Sequence, residues 1–177
     1  MKRRTGFTVI ELMIVLAALG ILALALVPTL LQSVRLAPPP GQEDDRYHQR
    51  QTIADIRNTG TAMFSWLTDQ VGAAAAGQSA TEVDLRDYPS ISPENLSTIL
   101  VPVYLQAVPK LDGWEHSYEY ALNVANPLAR NVMAIRSPGR DGFTDGDVYT
   151  VTSFIPEDYG QDIVWADGFF VRWPQKQ

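Results

Sequence analysis

The chain divides by the rhythm of its apolar positions. From Leu12 to Leu31 no residue is charged, and only Gly20, Pro28 and Thr29 interrupt the apolar run. At about 1.5 Å of rise per residue this makes a helix of about 30 Å, the thickness of a bilayer's hydrocarbon core. After Leu36 come Ala37-Pro38-Pro39-Pro40-Gly41 and a polar stretch from Gln42 to Gln51. Three prolines and a glycine cannot continue a helix, so a linker is expected over 37–50. Beyond it Ile53, Ile56, Met63, Phe64 and Leu67 recur at three- to four-residue steps, which predicts a second, amphipathic helix. Gly60 lies on its apolar side and marks a close approach to a sheet; Met63, Phe64 and Trp66 read as core.

Small side chains from Gly72 to Ala80 predict a surface loop. Ser92 followed by Pro93 is a helix start, and a short helix to about Leu100 follows. The pattern then shortens to strands at 116–121, 131–136, 148–154 and 169–173, each with aromatic or β-branched residues between glycine, proline or asparagine. Helices first and strands afterwards predict an α+β fold, the second helix packed on a small antiparallel sheet.

Length and charge narrow the picture. At 177 residues the chain holds one modest domain besides its apolar N-terminus. Its net charge is −6, and three of its 14 basic residues are Lys2, Arg3 and Arg4, which leaves 11 against 20 acidic ones for the rest. Nucleic-acid binding needs a basic face and is not expected. The basic cluster ahead of the apolar run should stay cytoplasmic, so the body points outward. The chain has no cysteine, which excludes thiol nucleophiles, cysteine zinc sites and disulfides.

Glu11 stands at the start of the apolar run. A cleaved secretory signal or a plain signal-anchor leaves it unexplained, because a lone charge at membrane depth costs on the order of 3 kcal/mol and normally has a partner. Gly6-Phe7-Thr8, Glu11 and the apolar helix with Pro28 together resemble the type III signal of type IV pilins and type II secretion pseudopilins. The resemblance implies cleavage by a prepilin peptidase between Gly6 and Phe7, methylation of the new Phe7 amine, and pairing of Glu11 with the N-terminal amine of a neighbouring subunit. Two groups costly to bury alone become tolerable as a pair.

A second stretch, "LVPVYLQAVPKLDGWEHSYEY" at 100–120, is similar to the major pseudopilin family of type II secretion, with Glu115 where that family usually has glycine after the tryptophan. The proline break departs from a family whose first helix usually runs on into the head. The implied organisation is a leader at 1–6, a transmembrane and assembly helix at 7–36, a Pro-rich linker at 37–50 and a periplasmic head at 51–177. The implied function is a structural subunit of a pseudopilus that supports protein export. Its partners would be copies of itself, other pseudopilins, inner-membrane assembly proteins and the peptidase, and its place the inner membrane, N-terminus cytoplasmic and head periplasmic. The alternatives are a type IV or minor pilin, or a membrane-anchored periplasmic binding domain or enzyme.

In "SPGRDGFTDGDVY", 137–149, Asp141, Asp145 and Asp147 lie among glycines. Calcium takes six to eight hard oxygens on a flexible loop, whereas Asp-Gly is also a common turn dipeptide, and spacing alone leaves both open. The resemblance implies calcium, with Asp141, Asp145 and Asp147 as side-chain ligands and the carbonyls of Pro138 and Phe143 as backbone candidates. The tail interleaves Asp158, Asp162 and Asp167 with Trp165 and Trp173 and reads as core strands closed by turns in preference to a partner surface. Neither His48 nor His116 stands in a nucleophile motif, no phosphate-cradling glycine loop occurs, and no catalytic residue is assigned.

Overall fold

A computed structural model describes residues 41–72 and 81–175 together with Val9, Met13 and Val15. These three are helical and exposed. The chain separates into two compact units, Met1–Gln42 and Glu43–Gln177. Gly6, Phe7 and Glu11 lie outside the described residues, as do most of the apolar run and the alanine-rich loop. Among the described residues no helix is long and apolar enough to cross a membrane.

Helix α1 spans Gln42–Val71. It opens earlier than the periodicity predicts, so the polar stretch assigned to the linker forms its first turns. Glu43, Asp44 and Asp45 explain the start, since acidic side chains in a first turn face the positive end of the helix dipole. Ile56, Met63, Trp66 and Leu67 form its buried stripe. Thr52 and Thr59 are buried in the same stripe, and the Thr52 hydroxyl donates to the His48 carbonyl at 2.9 Å. Helix α2 spans Pro93–Leu100, and the Ser92 hydroxyl oxygen accepts from the Asn95 N–H at 3.2 Å, as the cap motif predicts.

The strands are β1 (Glu82–Asp84), β2 (Ser90–Ile91), β3 (Glu119–Leu122), β4 (Met133–Ser137), β5 (Val148–Thr150), β6 (Thr152–Phe154), β7 (Ile163–Ala166) and β8 (Phe169–Pro174). Six of them form one sheet in the order β2-β3-β4-β7-β8-β6. Its pairs are antiparallel except β6 with β8, which run parallel. β1 and β5 form a separate antiparallel ribbon.

Register explains how one sheet serves two cores. Tyr120, Ile135 and Trp165 are cross-strand neighbours and join Ile56, Met63 and Trp66 of α1 in the larger cluster. Ala121, Ala134 and Ala166, one residue along, line the opposite face and pack with Val83 of β1 and Tyr149 of β5. The side-chain period of 2 sends alternate residues to opposite faces, and both faces are covered. Small alanines on the second face let the ribbon approach closely.

The predicted strand at 148–154 is two strands, because the chain leaves the ribbon at Val151 and joins the main sheet. β3 begins later than His116, because the preceding residues are held in a turn by Asp112. β7 falls outside the four strand ranges expected, though within the tail that reads as core strands.

Candidate functional site

The Asp112-Gly113-Trp114 motif is an anchor for the acidic loop. Asp112 is buried, and its Oδ1 accepts from the Trp114 and His116 N–H groups at 2.9 Å each. Its Oδ2 accepts from the Ser137 hydroxyl at 2.6 Å, at the end of β4. A Cβ on Gly113 would stand 2.2 Å from the His48 carbonyl oxygen, so only glycine lets this turn lie against α1. Glu115 follows at φ 68°, in the left-handed region that favours glycine. The turn keeps the glycine conformation with a side chain in place.

The loop that leaves β4 rests on this turn. Gly139 adopts φ 70°, and a Cβ there would meet the carbonyl oxygens of Gln161 and Tyr159 at 2.7 and 2.8 Å. The His116 Nδ1 hydrogen-bonds the Gly139 carbonyl at 2.8 Å. Asp45 of α1 receives Arg140 at 3.0 Å and the Trp114 indole N–H at 3.1 Å.

Beneath the loop lies a buried polar chain. Arg136, 7 % exposed, donates to Glu119, to Tyr149 Oη at 3.0 Å and to Asp147 Oδ1 at 3.5 Å. The Tyr149 hydroxyl donates to Asp162 Oδ2, which also accepts the Asp145 N–H at 2.9 Å. Asp162 is 0 % exposed and its Oδ1 has no hydrogen-bond partner. Burial raises its carboxyl above the usual range, against the lowering effect of the hydrogen bonds from Tyr149 and the Asp145 backbone. Burial, helped by the bond to Asp162, raises the Tyr149 phenol and keeps it a donor.

The three predicted aspartates are exposed and do not converge. Asp141 Oδ1 accepts the Phe143 N–H at 3.0 Å, and its Oδ2 lies toward Gly160. Asp145 meets Asp162 through its backbone, and Asp147 faces Arg136. Among the described residues no group of three or more His, Cys, Asp or Glu is placed to hold a metal. The buried carboxylate oxygen left without a hydrogen bond is Oδ1 of Asp162, which sequence reasoning assigned only to the tail. Its signal was an aspartate opening a fully apolar run, Ile163-Val164-Trp165.

Trp165 is buried and Trp173 half-buried, in line with the core reading of the tail. Asp167 closes the β7–β8 turn at φ 44°, accepting from the Val132 and Met133 N–H groups at 3.1 Å each and from the Tyr88 hydroxyl at 2.7 Å. His48 lies in α1 and not in a linker.

Residues 1–27 match the family described as the prokaryotic N-terminal methylation motif. The chain is 26 % identical over 155 residues to type II secretion system core protein G of Vibrio cholerae serotype O1, an alignment covering 83 % of this chain and 88 % of the relative. No solved structure gives a significant match.

Proposed function

We propose that this chain, a pilin-like protein similar to type II secretion core protein G, is a structural subunit of a type II secretion pseudopilus. The observation that carries the reading is the joining, in one chain, of a prepilin methylation motif to a helix-on-sheet head, with the similarity running across most of both. Leader residues 1–6 are removed after Gly6, and Phe7 becomes the methylated N-terminus. Residues 7–36 anchor the chain once in the inner membrane, with the N-terminus cytoplasmic and the head, opening with α1, periplasmic. Partners are further copies, other subunits of the secretion system and the peptidase. The role is mechanical, and no residue is assigned to catalysis.

Assembly is driven by packing of the apolar N-terminal helices, with Glu11 neutralising a neighbour's Phe7 amine. A carboxylate at membrane depth costs on the order of 3 kcal/mol unless paired. Glu11→Ala is therefore expected to be processed and to insert normally, yet to form no filament when overproduced with its assembly partners. Filaments at the wild-type level, seen by shearing and immunoblot, would refute the pairing.

Calcium is the proposed ligand of the loop. Its support is the unpartnered, buried Oδ1 of Asp162 beneath a loop rich in carboxylates, whose Asp141, Asp145 and Asp147 would have to turn inward to complete a hard-oxygen set. When bound, the ion would occupy the open Oδ1 of Asp162 and tie the loop to β7.

A further inference from the structure

On a different flank of α1 from the Asp45–Arg140 contact, a groove of about 520 Å³ runs between the helix and the C-terminal strand. Ile53, Phe170 and Trp173 give it an apolar floor, and Arg46, Arg50 and Arg57 line one wall. In a chain of net charge −6, three guanidinium groups on one helix flank are a local reversal of sign. They are poorly neutralised. Arg46 reaches Glu157 only at 3.8 Å, and its Nε is buried without a hydrogen-bond partner. Arg57 lies over the Phe170 ring at 6.0 Å. Arg50 is exposed, with no ion pair among the described residues. Like charges at i and i+4, as in Arg46 and Arg50, disfavour the isolated helix. An arriving anion turns that cost into attraction.

The same head carries the complementary shape. Phe143 is 77 % exposed at the tip of the loop, and Asp141 and Asp145 flank it, both exposed. A phenylalanine held in water between aspartates does not serve its own core. We propose that the groove receives this loop from a second copy of the chain, with Phe143 against Phe170 and Trp173 and the loop aspartates facing Arg46, Arg50 and Arg57. A large aromatic in an apolar pocket, ringed by charge pairs, is the usual composition of an interface anchor. With calcium on the loop the knob still carries an excess of negative charge, since three carboxylates exceed one divalent ion.

Knob and groove are different surfaces of one molecule. Their contact is heterologous, and it extends from copy to copy without closing unless the rotation makes a ring. The proposal rests on the assembly reading above and names a contact between heads that the membrane helices alone do not specify.

The chain has no cysteine, so introduced thiols are the only ones it carries. Thr144→Cys beside Phe143 and Gln175→Cys at the groove, both exposed and neither needed for the contact, are made singly and together in the full chain, assembled in membranes with its partners, and oxidised. The double variant is expected to give a ladder of crosslinked multimers. The two single variants mixed are expected to stop at dimers, because each chain then offers one reactive end. Filaments without a ladder in the double variant would overturn the head contact and leave the pseudopilus reading standing. Crosslinked chains with no filament would keep the contact and overturn the assembly reading.

Discussion

Asp162 is the residue on which the acidic loop turns. Its raised carboxyl, caused mainly by burial, means that the folded state holds the proton more tightly than the unfolded chain, whose aspartates titrate near 3.8. The sign follows from this. Between 3.8 and the raised folded value the native state binds more protons, so stability falls as pH rises through that window. Above it the penalty is complete. Asp162→Asn retains an oxygen for the Tyr149 hydroxyl and the Asp145 N–H but carries no charge. In chelator, the variant is expected to match the wild type near pH 4 and to exceed it by about 1 kcal/mol at pH 7, the order of an unsatisfied buried group. Urea melts across that range check it, and a constant difference would show that Asp162 does not titrate with folding. Sequence reading found the loop and its three aspartates by spacing. It left Asp162 in the tail, because the apolar run that follows it marks a core strand but does not say that the aspartate itself is buried beneath the loop. That depends on β5 bringing Tyr149 to β7.

Elements show the same division between local and distant information. The second helix, the Ser92 cap and the close approach at Gly60 were legible because each is encoded within one or two turns. β7 was legible only as core within the tail and without bounds, since a central strand covered on both faces loses the alternation that marks a half-buried one. The earlier start of α1 was missed because a polar helix face reads like a linker. Gly60 gives an element-scale prediction. A Cβ there would lie 2.8 Å from two carbons of the Trp165 ring, which is part of the larger core cluster. Helix propensity alone favours alanine over glycine by about 1 kcal/mol. Overpacking against the indole reverses this, and Gly60→Ala is expected to lower stability by about 1–3 kcal/mol. Trp165→Phe in the same chain should recover part of that loss, because neighbouring substitutions couple. A stabilised Gly60→Ala in denaturant melts would mean that α1 stands further from the sheet.

At the scale of the molecule the question is what holds an acidic, cysteine-free head together at its loop-rich end. Both core clusters are drawn from residues 53–171, so the head from Gln42 onward carries its own hydrophobic interior. Where the Asp141–Asp147 loop meets β7, the described residues offer no covalent tie and one buried cation. Arg136 supplies one positive charge there and is already shared among Glu119, Asp147 and Tyr149. Calcium would supply two more next to Asp162. An ion that binds only the native state stabilises it by about 2.7 kcal/mol at a hundredfold excess over Kd, which for a domain of this size is a rise in Tm on the order of 10 °C. The head is therefore expected to melt on the order of 10 °C lower in chelator than in saturating calcium. The difference should shrink in Asp145→Ala and vanish in Asp162→Asn, which keeps its fold but offers no buried carboxylate. A melting point indifferent to calcium would reduce the loop to a surface turn held by Arg136. It would leave Phe143 and its flanking aspartates with the docking role alone.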